Sequence, residues 1–238
     1  MLQTPRAGST PRATLQQTAD SQALQRAATH TLTTLDVCRR KWAVLSSEGK
    51  VALSGCVNAQ LKMAHAESGE WPAGFQAVRS GIALCALEQR RESEAAIHPV
   101  LEALAALVAD MRATSESLCS RVESLTPQHS PLRAAPLLHS ESVDQILARV
   151  AEVVRTYERE LKLRQSVVAE LTGGTSGGGE DHGEYQTAPQ PRGPGWDASA
   201  RLLLSAWVLE PFIESEHLEL LFDSLAAEPT VSPGRRGR

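Results

Sequence analysis

Aromatic residues are scarce: four Trp, two Tyr and three Phe make up 4% of 238 residues. Aromatic side chains bury the most area, so the thick mixed core of an enzyme of this length is not expected. The apolar content, 42% overall, is carried mainly by Leu, Val and Ala, which favour helices and slim helix–helix seams. An excess of one charge is also missing. The formal net charge is −4, which gives no electrostatic footprint for direct nucleic-acid binding. Cysteines number four, Cys38, Cys56, Cys85 and Cys119, with no C-x-x-C pair. All sit in segments of helical pattern and read as small buried thiols. No apolar run is long enough to span a bilayer; the longest lies within Leu101–Ala109. Met1–Arg6 has no apolar core of the signal-peptide kind. The expectation is a soluble intracellular protein in a reducing compartment. Period-two alternation with turn signals is absent too, so no sheet is expected.

What is present is helical period. Residues 1–20, with Pro, Ser, Thr and Gln, read as a disordered arm. Residues 21–171 read as a helical coiled-coil region. Its first helix, over 21–66, carries Leu24, Leu32, Leu35, Cys38, Trp42 and Leu45 on one side. Ser46-Ser47-Glu48-Gly49 weakens that pattern and predicts a kink. Ser68–Gly74 reads as a loop, and a second helix follows from about Phe75 to Leu125. Ile97, Leu101, Leu104, Val108, Met111, Ser115, Leu118, Val122 and Leu125 alternate steps of four and three, an a/d seam. Pro99 fits a first turn or a kink. Residues 126–140 read as a linker. The third helix begins at Ser142, which has capping-box spacing to Gln145. It carries Val143, Leu147, Val150, Val154, Tyr157, Leu161, Arg164, Val168 and Leu171 in the same alternation, with Arg164 the one intruder.

Residues 172–196 are rich in Gly and then Pro and read as a flexible linker. Over 197–228, one short helix starts at Asp197 and ends near Pro211; another starts near Ser215. Residues 229–238 form a basic tail. The fold class expected is all-α: long antiparallel coiled-coil-like helices, a short C-terminal helical pair, and disordered termini and linker.

The motifs for chemistry do not assemble. Gly173–Gly179 lacks the Gly-Lys-Ser/Thr ending of a phosphate loop and follows a helix rather than a strand. Glu180, Asp181, His182 and Glu184 fall in linker sequence, without the rigid surroundings a metal site needs. No H-E-x-x-H pair occurs, and no nucleophile motif supports catalysis: Gly174-Thr175-Ser176-Gly177-Gly178 has the G-x-S-x-G spacing only within the Gly-rich linker. No catalytic residue, metal ligand or cofactor is therefore assigned. Ser130-Pro131-Leu132-Arg133 and Ser232-Pro233-Gly234-Arg235 have the S-P-x-R form of proline-directed cell-cycle kinase sites. Thr4-Pro5, Thr10-Pro11 and Thr126-Pro127 are minimal versions. Thr4, Thr10, Ser130 and Ser232 are the candidate phosphorylation sites, where added charge can switch an interface. Arg201-Leu202-Leu203-Leu204 has the form of a cyclin-docking peptide, but its leucines are expected inside the short helix. Trp42, Trp207 and Phe212 suit either local core or partner anchors. With Pro211 and the seam residues Leu101, Leu104, Val108, Met111, Val150, Val154, Tyr157 and Leu161, they form the candidate partner-binding set.

The C-terminal half carries a resemblance. Tyr157-x-x-Glu160-Leu161-x-Leu163-Arg164-x-x-Val167-x-x-Glu170-Leu171 precedes Leu204-Ser205-x-Trp207-x-x-x-Pro211-Phe212-Ile213-Glu214-Ser215. This pair resembles the end of the cyclin-dependent kinase 2-interacting protein family. That family has Lys or Arg at the Arg164 position, Tyr or Phe at Phe212 and Val or Ile at Ile213. Lys41-Trp42-x-x-Leu45 and Thr-Pro-Arg in the N-terminal arm match more loosely. The likeness covers 141–227, and 30–66 in part. The 172–196 linker is longer than the family's pattern, and 67–100 do not match it.

The resemblance implies a non-catalytic nuclear adaptor between cell-cycle and checkpoint kinases and DNA replication. The implied partners are cyclin-dependent kinase 2, Cdc7 and ATR–ATRIP. It also implies AAA ATPase subunits, in a complex acting in replisome protein turnover and maturation of the large ribosomal subunit. Seams of this kind suit a homodimer or a helical heterodimer. Period alone fits an alternative equally well: a structural coiled-coil subunit of a tethering or cytoskeletal complex.

Overall fold

The computed structural model describes residues 11–126, 133, 136–138, 141–172, 196–213, 218–219 and 222. The architecture is all-α, with long helices and a short C-terminal one. In chain order the elements are α1 (Pro11–Ser68), α2 (Gln76–Leu125), β1 (Pro136–Leu138), β2 (Glu141–Ser142), α3 (Val143–Thr172) and α4 (Trp196–Leu209). The second C-terminal helix, the Gly-rich linker and the basic tail expected from the sequence lie largely or wholly outside the described residues.

Helix α1 starts ten residues before the expected boundary and runs unbroken through Ser46–Gly49, where a kink was expected. Its buried face explains the continuity. Leu35, Cys38, Trp42, Gly49, Ala52, Cys56 and Ala59 step by threes and fours, with one step of seven from Trp42 to Gly49 that keeps the register, so Gly49 occupies a seam position. Helix α2 is likewise continuous, and Pro99 lies deep inside it rather than in a first turn. There Pro leaves the Ala95 carbonyl without its ladder partner, a cost the packed flanks must offset. Helix α3 begins where the capping box puts it. The Ser142 N–H donates to Gln145 Oε1 at 2.8 Å, and the Gln145 N–H donates to Ser142 Oγ at 3.3 Å.

The described residues include one small sheet, against the expectation of none. β1 and β2 pair antiparallel with an irregular register, Pro136 opposite Ser142 and Leu138 opposite Glu141. Strands of two and three residues are too short to carry a readable alternation in the sequence.

The chain divides into two compact units. The first comprises 1–38, 110–155 and 214–238; the second comprises 39–109 and 156–213. The first unit has an apolar interior of Leu24, Leu32, Leu35, Met111, Leu118, Val122, Leu138, Val143, Ile146 and Val150. In the second unit the C-terminal part of α1 lies antiparallel to the N-terminal part of α2. Lys62 Nζ donates to Gln89 Oε1 at 2.8 Å, and a Cβ at Gly55 would overlap Ser93 Oγ. The turn between them is closed by the Gly69 N–H on the His65 carbonyl and the Trp71 indole N–H on the Ala66 carbonyl. Gly74 completes it at φ +99°, a conformation that favours glycine. Arg90 donates to the terminal Thr172 carbonyl of α3 at 3.1 Å, and Gln60 to Leu171 at 2.9 Å.

Candidate functional site

The intruder in the third seam organises the second unit. Arg164 and Glu160 are both fully buried, one turn apart on α3. Arg164 Nε donates to Glu160 Oε1 at 3.1 Å. Its Nη2 faces three acceptors: Ser46 Oγ of α1 at 2.9 Å, the Trp207 carbonyl of α4 at 3.4 Å, and Glu210 Oε1. The guanidinium carbon lies 4.3 Å from the Trp207 ring centroid and 5.1 Å from that of Trp42. A desolvated cation–π contact of this kind contributes up to about 2 kcal/mol. Tyr157 closes the side, edge-on to Trp42 at 5.0 Å.

The polar atoms around Arg164 are turned largely on one another. Trp42 Nε1 donates to Glu210 Oε1 at 3.3 Å, and Ser46 Oγ donates to the same oxygen at 2.6 Å. Trp207 Nε1 donates to the Ser46 carbonyl at 3.0 Å. The Phe212 N–H donates to Glu160 Oε2 at 3.4 Å. Among the described residues, Arg164 Nη1 is the buried donor of the cluster with no oxygen partner. Burial pushes the Glu160 carboxyl above its ordinary value, and Arg164 beside it only partly opposes this.

Local structure aims these groups. Helix α4 ends at Leu209, and Glu210 takes φ +46°, the left-handed position that commonly ends a helix. Pro211 follows and prevents continuation. The turn, closed by the Ile213 N–H on the Glu210 carbonyl at 2.8 Å, swings the Glu210 carboxylate back onto α1 and α3. A left-handed glutamate costs roughly 1–2 kcal/mol, which its three donors offset. Opposite, a Cβ at Gly49 would overlap the Trp207 indole. The residues that weaken the helical pattern of α1 are the notch that receives α4. Chemically, this arrangement clamps the end of α4 against α1 and α3.

Eight of the twelve expected partner-binding residues are buried within this chain: Trp42, Leu104, Val108, Met111, Val150, Val154, Tyr157 and Trp207. Leu101 and Leu161 are half-buried, whereas Pro211 and Phe212 are exposed. On α3 the buried seam runs Val143, Ile146, Val150, Val153, Tyr157, Glu160, Arg164, Val167, Leu171. The alternation expected from the sequence takes Leu147, Val154, Leu161 and Val168 in place of Ile146, Val153, Glu160 and Val167; Val154 and Val168 are buried as well, whereas Leu147 and, in place of Glu160, Leu161 are half-buried. Hydrophobicity favours the leucine, but Glu160 is the residue one turn from Arg164 and able to answer its charge. That i,i+4 pair was the available signal. Ser46, Gly49 and Glu210 left no comparable one.

Other expectations need correction. Thr126 is fully buried and donates to the Val122 carbonyl at 2.7 Å, so Thr126-Pro127 presents no open hydroxyl. Leu202 is 71% exposed where burial was expected, because Ala200 and Trp207 supply the inner face of α4. Cys38 and Cys56 are buried as expected, but Cys85 is exposed and Cys119 half-buried. Burial, with Glu94 nearby, raises the Cys56 thiol to about 11. Thr4, Thr10, Ser130 and Ser232, and the acidic cluster at 180–184, lie outside the described residues. No helix among the described residues is long and apolar enough to cross a membrane. No family model matches the chain, and no curated protein matches it in sequence.

Proposed function

We propose that this chain is a non-catalytic nuclear adaptor of the cyclin-dependent kinase 2-interacting protein kind. In this reading it links cyclin-dependent kinase 2, Cdc7 and ATR–ATRIP signalling to DNA replication. It also serves as a subunit of an AAA ATPase complex acting in replisome protein turnover and maturation of the large ribosomal subunit.

One observation carries the reading. The resemblance rests on two segments separated by the long linker, and their marked residues meet in one buried cluster. Tyr157, Glu160 and Arg164 come from the first segment; Trp207 and the Phe212 amide come from the second. Residues so far apart in the chain that depend on one another in space form a single structural element. Its product is an α4 held at its C-terminal end, with large apolar residues on its exposed side beside Arg201 and Ser205. Leu202 and Leu209 are 71% and 74% exposed, with Val208 and Phe212 beside them. Exposed large apolar residues grouped in this way mark an interaction surface, and helical partners supply a cover for it.

Affinity purification of the tagged chain from S-phase nuclei tests the proposal. The kinases or the AAA ATPase subunits should be recovered, and Leu202→Ser with Leu209→Ser should lose them without altering the melting temperature. Recovery of tethering or cytoskeletal proteins alone, with the chain confined to cytoplasmic structures, would overturn it.

A further inference from the structure

We propose that the groove between α1 and α2 in the first unit, at Arg26, His30 and Arg121, is a phosphomonoester site whose occupant is phosphorylated Ser130 of the same chain. The groove, about 430 Å³, carries hydroxyls from Thr31, Ser117, Ser120 and Ser124 along with His30 and Arg121. Arg121 also lines its extension, where Arg26 joins it over Ala23 and Ala27. Among the described residues, no carboxylate lines either part. Among the described residues, the side chains of Arg121 and His30 have no hydrogen-bond or ion-pair partner, and Arg26 reaches only the Gln22 carbonyl, at 3.2 Å. Two guanidinium groups and an imidazole therefore line two adjoining hollows that share Ala27 and Arg121, with no carboxylate among the described residues beside them. A phosphomonoester supplies what is missing. It carries roughly two negative charges and three acceptor oxygens, and guanidinium groups bind it through paired hydrogen bonds.

The chain places a candidate phosphate within reach. Ser124 lines the groove, α2 ends at Leu125, and Ser130 follows in a Ser-Pro-Leu-Arg kinase motif. Thr126 is still tied to the Val122 carbonyl, and the four residues from there to Ser130 span at most about 14 Å when extended. That suffices to fold back over the last turn of α2, where Arg121 stands one turn from the end. A proline-directed kinase transfers the γ-phosphoryl group of ATP to Ser130 Oγ, releasing ADP and the hydroxyl proton. The new dianion then pairs with Arg121 and Arg26. The site is independent of which partners the adaptor takes.

The test uses the full chain and a synthetic peptide spanning Thr126–Arg133, with and without phosphate on Ser130. The phosphopeptide should bind at least tenfold more tightly than the unmodified peptide. Arg26→Gln with Arg121→Gln should erase that difference, while Arg155→Gln, at another exposed arginine of the same unit, should keep it. In full chain phosphorylated at Ser130, the added phosphopeptide should bind at least tenfold more weakly, because the groove is filled. Equal binding of the two peptides, or equal loss in the Arg155 variant, would overturn the site. Undiminished binding to the phosphorylated chain would overturn Ser130 as occupant and point to a phosphopeptide from a partner. All three arginines are exposed or on helix surfaces, and circular dichroism of each variant verifies that it is folded.

Discussion

In the first unit the buried side chains include Leu24, Leu35, Met111, Val122, Val143 and Val150, with the small hydroxyls of Thr31 and Thr126. In the second, the same three helices continue with the same period. There they bury Arg164 and Glu160 between Trp42 and Trp207. An apolar seam holds helices together through area and shape, and tolerates substitutions of similar volume. A buried ion pair stabilises less than apolar packing of equal volume and is punishing when broken. The second unit thus gives up tolerance, and in return one arrangement of α4 satisfies its donors and acceptors.

Arg164→Met should separate the two units most strongly. It leaves Glu160 buried without its cation and should cost about 3–5 kcal/mol in urea unfolding. Met111→Leu in the first unit, a swap of similar volume, should cost less than about 1.5 kcal/mol. Adding Glu160→Leu and Glu210→Gln to Arg164→Met should recover most of the loss. If α4 amides nevertheless exchange faster with solvent in this triple variant, the cluster specifies position rather than stability. Protection as strong as in the parent would refute that role.

A smaller effect is expected at the notch. Gly49→Val pushes a side chain into the Trp207 indole and should destabilise by about 1–3 kcal/mol, with α4 protection lost first. Gly81→Ala on α2 meets open space and should stabilise by up to about 1 kcal/mol through helix propensity. Equal effects of the two would show that α4 is not held through Gly49.

The pH response should also separate the units. Because burial raises the Glu160 carboxyl above its ordinary 4.5, the folded chain holds this proton to higher pH than the unfolded chain does. Its contribution to stability is present in full below pH 4.5 and is lost as pH rises through the raised folded value. When Glu160 is neutral, Arg164 retains Glu210. Glu160→Gln should remove this slope, so its stability relative to the parent should improve as pH rises above 4.5. Parallel pH curves for the two proteins would contradict the assigned direction.

The mildest expected difference is chemical. The exposed thiol of Cys85 should alkylate fastest at pH 8. Cys56, buried and raised to about 11, should react only on unfolding. Mass spectrometry of partially labelled protein reads the order; early labelling of Cys56 would show that α1 opens there.

Much of the architecture was legible because it is local. Ser142 and Gln145 mark the start of α3, Pro211 the end of α4, and Gly69–Gly74 the turn after α1, each through backbone chemistry confined to a few residues. The register of the seams was half legible. Val143, Val150, Tyr157, Arg164 and Leu171 sit where the period puts them, but hydrophobicity alone chooses Leu161 over Glu160. Ser46 and Gly49 read as a weakness in α1 because their partner, Trp207, is more than 150 residues away in the chain.

The sequence by itself determined that the chain is helical, where most helices begin and end, and which stripe of each is apolar. These follow from hydrogen bonding and side-chain spacing within a few turns. Only the tertiary structure decided that Arg164 is the centre of a core rather than a flaw in a seam. A buried charge is stable only beside its counter-charges. Glu160 is a neighbour along the helix, but Glu210, Ser46 and the two indoles reach Arg164 only once α1, α3 and α4 are packed together.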